Sequence, residues 1–132
     1  MSAAQPDAAG RGVAVAIAAG RLALGVAISA STRRAITGLG FETADEGTVA
    51  LARLAGGRDI ALGIHGLLAR DDPRRLAESS AIATGVDLGD GIAFALALSS
   101  GRLGKRALVN IPLIAGAVGA GAWATSRLRT NY

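Results

Sequence analysis

The sequence predicts an all-α fold, a four-transmembrane-helix antiparallel up-and-down bundle, and three observations predict it. Four apolar runs of about 20 residues are separated by short polar boundaries, and a helix of about that length spans the roughly 30 Å hydrocarbon core of a bilayer. Apolar residues make up 51% of the 132 positions, yet only Phe41, Phe94, Trp123 and Tyr132 are aromatic. A water-soluble core of this size draws much of its volume from aromatic side chains, each of which buries about 150 to 250 Å². Finally, 19 glycines would weaken soluble helices, by about 1 kcal/mol each relative to alanine, whereas membrane helices use glycine and alanine to bring their backbones together.

Taken in order, residues 1–10 are small and polar and read as a disordered start, followed by a single four-helix membrane domain over 11–129. The first helix is expected over 12–32, with Arg21 its only internal charge and Arg33 and Arg34 closing it. A cleaved signal peptide is the competing reading, but Arg11 alone makes a thin basic region and Arg21 would lie inside the apolar stretch. A loop rich in Gly, Thr, Glu and Asp leads to Thr43, which with Glu46 has the spacing of a capping box and opens a second helix over 44–69. Asp72 then caps a third helix over 73–100, with Pro73 at its first position and Gly101 placed to end it. The basic loop Arg102, Lys105, Arg106 precedes the last helix, 107–127, which is uncharged from Ala107 to Ser126 and in which Pro112 opens the helix proper. Trp123, four residues before Arg127, reads as an interface anchor.

Short loops between consecutive helices put both termini on one side. That side carries Arg11, Arg70, Arg74, Arg75, Arg127 and Arg129, the other Arg33, Arg34, Arg102, Lys105 and Arg106, so the slight excess of positive charge sets both termini in the cytoplasm. Small residues recur at close-packing intervals: Gly12, Ala16 and Gly20; Ala52, Gly56 and Gly63; Gly116, Ala120 and Ala124. These faces suit helix packing and offer surfaces for a homo-oligomer or a membrane-protein partner. Ala19-Gly20-Arg21-Leu-Ala-Leu-Gly25-Val26 is echoed, with one insertion, by Ala55-Gly56-Gly57-Arg58-Asp59-Ile-Ala-Leu-Gly63-Ile64.

Several function classes are excluded. The absence of cysteine removes disulfides, thiolate metal sites and a cysteine nucleophile. The +4 charge comes from arginines flanking apolar runs, and with so few aromatics to stack on bases no nucleic-acid partner is expected. Asp87-Leu-Gly-Asp90-Gly91 begins like the aspartate motif of membrane CDP-alcohol phosphotransferases, but the second aspartate pair and the later arginine are missing. No P-loop, dinucleotide fingerprint, Gly-x-Ser-x-Gly elbow or His-Glu-x-x-His occurs, and no cofactor, metal or catalytic residue is assigned.

The informative feature is depth. Arg21 lies near the middle of the first helix, Arg58 and Asp59 near that of the second, and Asp87 and Asp90 near that of the third. Each such residue costs about 2.5 to 3.5 kcal/mol at a helix centre, and opposite charges on neighbouring helices can offset that cost. Asp87 and Asp90 are three apart and share a face from which both can meet an arginine fork, so Arg21 and Arg58 are expected to bridge to them. Arg53, counted with Arg21 and Arg58 against Asp59, Asp87 and Asp90, lies about two turns toward one face, and His65 about two turns toward the other, on the same helix face as Arg58. The pairs either fix helix register only or line a ligand site. His65 is either a hydrogen-bonded packing residue or a proton relay.

The segment Ala52-Arg53-Leu-Ala-Gly56-Gly57-Arg58-Asp59-Ile-Ala-Leu-Gly63, preceded by the Gly-Arg21 context and followed by the helix of Asp87 and Asp90, resembles a family of small bacterial four-helix membrane proteins. These are distantly similar to the DoxX-like proteins, some of which are membrane subunits of quinone-linked oxidoreductases. The resemblance covers roughly residues 12–126 and implies a bacterial inner-membrane location and a four-helix bundle, with no catalytic residue carried over. The leading expectation is a non-enzymatic accessory subunit or small binding or transport module. The alternative is a membrane redox or lipid- or quinone-handling enzyme subunit, in which Arg21, Arg58 and Asp87 hold a polar head.

Overall fold

A computed structural model of the chain describes residues 7–41, 44–101, 103 and 105–130. Among these residues the structure is all-helical: α1 (Ala8–Ala30), α2 (Thr32–Gly38), α3 (Glu46–Leu68), α4 (Pro73–Ser99) and α5 (Asn110–Arg129), with a 3₁₀ turn at Lys105–Val109 leading into α5. Three segments are long and apolar enough to cross a membrane by length and composition: α1, α4, and α5 together with the end of its 3₁₀ turn. The α3 helix is as long as α1, at 23 residues, but Arg53, Arg58 and Asp59 lie inside it, and by composition alone it falls short.

Local chemistry sets the ends. Asp7 accepts from the backbone N–H groups of Ala9 and Gly10, so α1 starts at Ala8, inside the stretch expected to be disordered. Ser31 breaks the first run at φ −135°, ψ 48°, and Arg33 and Arg34, expected to close that run, lie instead within the short helix α2. That turn is tethered from both sides. Arg33 donates to Ala44 O at 2.6 Å and to Glu46 at 2.5 Å, while Asn110 Nδ2 donates to Leu39 O at 2.8 Å. Thr43 lies outside the described residues, and the observed cap of α3 is Asp45, which accepts from the Thr48 N–H at 2.7 Å. Asp72 accepts from the N–H groups of Arg74 and Arg75, and Gly101, at φ 70°, ends α4. Because the 3₁₀ turn precedes it, α5 starts at Asn110 and Pro112 falls within its first turn, where a missing N–H is tolerated.

Asp7 pairs with Arg127 at 3.5 Å and Arg11 with Asp71 at 3.0 Å, which gathers the start of α1, the α3–α4 turn and the end of α5 at one end of the molecule. The Asn110 to Leu39 bond gathers α2 and the start of α5 at the other. The long helices therefore run alternately up and down. They pair as α1 with α3 and α4 with α5, and the pairs meet chiefly through α1 and α5.

The packing runs opposite to that of a water-soluble domain. The core cluster is Ala14, Ala69, Leu76, Ala77, Ala124 and Leu128, and Leu76 and Leu128 are its largest fully buried side chains. Large apolar side chains point outward instead: Leu54 is 70% exposed, Leu68 80% and Leu96 67%. An apolar exterior around a small-residue interior suits a lipid surrounding, where close backbone contact replaces burial from water as the source of cohesion.

Burial on α1 falls on Gly10, Ala14, Ala18, Arg21 and Gly25, and on α3 on Val49, Gly56, Asp59, Gly63 and Gly66. A Cβ on Gly25 would lie 2.6 Å from Gly56 O, and one on Gly63 2.7 Å from Ala18 O, so the matched glycines of the internal echo are where these two backbones touch. Of the small-residue series expected to pack, Gly56, Gly63 and Ala124 do so, whereas Gly12, Ala16, Gly20 and Gly116 are exposed. The reason is rotational. Gly12 precedes Arg21 by nine residues, about half a turn round the helix at 100° per residue, so turning Arg21 inward turns Gly12 outward.

Candidate functional site

The site is a chain of alternating charges drawn from three helices. Arg21, on α1, is 8% exposed. Its Nη1 donates to Asp59 Oδ1 at 2.8 Å, and its Nη2 donates to Ala83 O at 3.0 Å and pairs with Asp87. Arg58 grips Asp90 with both terminal nitrogens, at 2.9 and 2.6 Å, and lies 3.6 Å from Asp59. The order through space is Asp87, Arg21, Asp59, Arg58, Asp90. The structure thus brings together all five mid-helix charges, and Asp59, which the sequence left without an assigned partner, sits at the centre between the two arginines.

The spacing explains the wiring. Arg58 and Asp59 are adjacent and point about 100° apart on α3, so one reaches α4 and the other α1. Asp87 and Asp90 stand one turn apart on α4 and take one guanidinium each. Three carboxylates against two guanidiniums leave the chain of pairs one negative charge in excess. The Nε atoms of Arg21 and Arg58 are buried without a hydrogen-bond partner, so the engaged donors are the terminal nitrogens.

The two outlying residues separate. Arg53 is exposed and outside the cluster, which corrects its counting against the three aspartates. It precedes Arg58 by five residues, about 140° round α3, and lines a different pocket at the α1–α2 junction. His65, seven residues after Arg58 and on the same face, places Nδ1 3.0 Å from Ser79 Oγ on α4.

A second polar group escaped the sequence reading. Thr125 Oγ1, with one proton to give, lies 3.0 Å from Ser80 Oγ and 2.8 Å from Gly121 O, Ser80 Oγ lies 3.3 Å from Gly121 O, and Thr84 Oγ1 donates to Ser80 O at 2.8 Å. The contacts of Ser80 with Gly121 and Thr125 hold α4 to α5. Their only sequence signal was hydroxyl residues inside two apolar runs. A space of about 10 Å³, lined by Arg21, Ser79 and Ser80 among others, lies between this group and the charges and is about the size of one water.

The charges border a groove. Between the second half of α4 and the first half of α5 lies a cavity of about 550 Å³, lined by Leu88, Ile92, Leu98, Ile111 and Ile114, with Asp87 the one charged residue among its described lining. From Asp87 to Leu98 it runs about 16 Å along α4. Buried residues of α4 stop at Ala83, and those of α5 resume at Gly121 after Asn110, so the groove occupies the half of the hairpin that packs least. No family model, curated protein or solved structure matches the chain.

Proposed function

We propose that the chain is a membrane binding module that spans the bilayer four times and holds the apolar tail of an amphiphilic molecule in the α4–α5 groove, its head at Asp87. The observation that carries this reading is that Asp87 both closes the chain of ion pairs and lines the groove. In support of a fourth span, the 23 residues of α3 rise about 34 Å, and the cost of carrying Arg58 and Asp59 into lipid is offset by their partners on α1 and α4. The slight arginine excess at the end holding the termini sets both in the cytoplasm, and the resemblance to small bacterial four-helix membrane proteins, distantly DoxX-like, favours a bacterial inner membrane.

The head chemistry follows from which groups are already engaged. The terminal nitrogens of Arg21 are taken by Asp59, Asp87 and Ala83 O, so the groove ends in an acceptor. Among the described residues Asp87 Oδ2 makes no hydrogen bond. A cationic or hydrogen-bond-donating head fits, whereas the carbonyls of a quinone need a donor. This favours a binding role over the quinone-handling alternative.

The test is binding of a fluorescent alkylamine and a fluorescent fatty acid of equal chain length to the protein in neutral detergent. The alkylamine is expected to saturate and to bind about tenfold more tightly than the acid, equivalent to about 1.4 kcal/mol. Ala115→Trp, which fills the groove, should abolish that binding without lowering the melting temperature. Full pairing of all five charges favours a second reading, in which they set helix register alone. Equal partition of both probes, unchanged by Ala115→Trp, would leave that reading standing and sink ours.

A further inference from the structure

A second pocket lies at the opposite rim of the bundle from the termini, where α1, α2 and α3 meet. It encloses about 340 Å³ and is lined by Ser31, Thr32, Arg33, Arg34, Val49 and Arg53, with Ser29 and Ala30. No carboxylate is among these residues. Arg33 is neutralised by Glu46 and donates to Ala44 O. Arg34 and Arg53 make no ion pair or hydrogen bond among the described residues, and neither does the Ser31 hydroxyl. Three donors, two of them charged, therefore line one polar recess that offers no carboxylate to them.

The depth of the two arginines differs. Arg34 lies on the short helix at the bundle's end, while Arg53 lies seven residues into α3, about 10 Å along it, on the helix face of Ala50 and Gly57, both exposed. An unpaired guanidinium on so apolar a face is costly in lipid, and its long stem lets it reach toward the rim. What both arginines lack is an anion at the level between them. Guanidinium forks match the geometry of phosphate oxygens, and in a bilayer the headgroup phosphates occupy the layer just outside the hydrocarbon core.

We propose that this pocket binds a phosphate group, held by Arg34 and Arg53 with the Ser31 hydroxyl. The same chemistry is offered by the phosphodiester of an anionic phospholipid and by a soluble phosphate. Only the lipid source rests on the membrane reading, and the site is independent of the α4–α5 groove. Two uncompensated guanidiniums favour a headgroup of net negative charge over a zwitterionic one.

Thermal unfolding in neutral detergent, with phosphatidylglycerol, phosphatidylcholine or inorganic phosphate added, tests it. Phosphatidylglycerol is expected to raise the melting temperature saturably, as a ligand that binds the folded state must, and phosphatidylcholine to leave it unmoved. In Arg34→Gln/Arg53→Gln the apparent affinity should fall about tenfold or more. Arg34→Lys/Arg53→Lys, which keeps the charge and loses the fork, should fall between. Arg75→Gln/Arg129→Gln, at the other end of the bundle, and the groove variant Ala115→Trp should both respond like the unaltered protein. A response to inorganic phosphate alone, lost in the Arg34 and Arg53 variants, assigns the site to soluble phosphates. An equal response in the unaltered protein and in Arg34→Gln/Arg53→Gln, or an equal loss in Arg75→Gln/Arg129→Gln, overturns the proposal.

Discussion

The α1–α3 pair and the α4–α5 hairpin draw on the same few residue types and pack to different effect. Along α1 and α3 the buried positions recur from Gly10 to Gly25 and from Val49 to Gly66, with backbones in contact at Gly25 and Gly63 and Arg21 bound to Asp59. Along α4 and α5 the buried positions lie almost entirely in one half, Leu76–Ala83 against Gly121–Leu128, joined through Ser80 to Gly121 and Thr125. The other half encloses the groove. Glycine and alanine close an interface only where a neighbouring backbone comes to them. In α4, Gly85 and Gly89 have nothing within 4 Å of a Cβ position and close nothing.

The largest expected effect tests the charges that tie the two pairs together. Arg21→Met leaves Asp59 and Asp87 facing each other without the guanidinium between them, and removing one partner of a buried pair costs about 3 to 5 kcal/mol. Unfolding of the purified protein in mixed detergent should show a loss of that size. It should be largely recovered in Arg21→Met/Asp59→Leu/Asp87→Leu, and strictly additive losses would break the picture of one coupled chain.

Next in size is a direct comparison of the two regions. Gly25→Ala forces a methyl against the Gly56 carbonyl, and overpacking of that kind costs about 1 to 3 kcal/mol. Gly89→Ala meets open space and should be neutral or gain up to about 1 kcal/mol from helix propensity. Equal effects in the same unfolding assay would remove the distinction between a closed and an open pair.

The smallest effect lies at the exposed start of α3. The Thr48 N–H bound to the Asp45 carboxylate holds that carboxyl below the usual carboxylate range. A carboxyl whose pKa is lower in the folded state contributes stability above its unfolded pKa and loses it as pH falls through the folded value. The protection of first-turn α3 amides relative to their intrinsic exchange rate should therefore fall as pH drops through the acid range, and Asp45→Ala should flatten that dependence.

Much of this was legible along the chain, because depth in a bundle is position multiplied by a fixed rise. Arg21, Arg58, Asp59, Asp87 and Asp90 could be set at one level from residue numbers alone. Asp87 and Asp90 could likewise be set on one face. Azimuth between helices could not be read this way. Which side of α1 turned inward depended on what α3 offered it: the choice fell on the stripe of Ala14, Ala18, Arg21 and Gly25, not on Gly12, Ala16 and Gly20, because Arg21 lost its solvent and needed Asp59 and Asp87. On α3, the face turned inward carries Asp59 between two arginines and leaves Arg53 outside the cluster.

By itself, then, the sequence determined the helical class, the apolar lengths, the acidic cap and proline ahead of α4, and the level at which opposite charges meet, since each of these is local or scales with residue count. The tertiary structure alone decided that α2 forms as a separate turn pinned by Arg33 and Asn110, that α4 and α5 close at one end and part at the other, and that a groove opens beside Asp87. Those features depend on contacts between residues far apart in the chain, and such contacts exist only once the helices have chosen their faces.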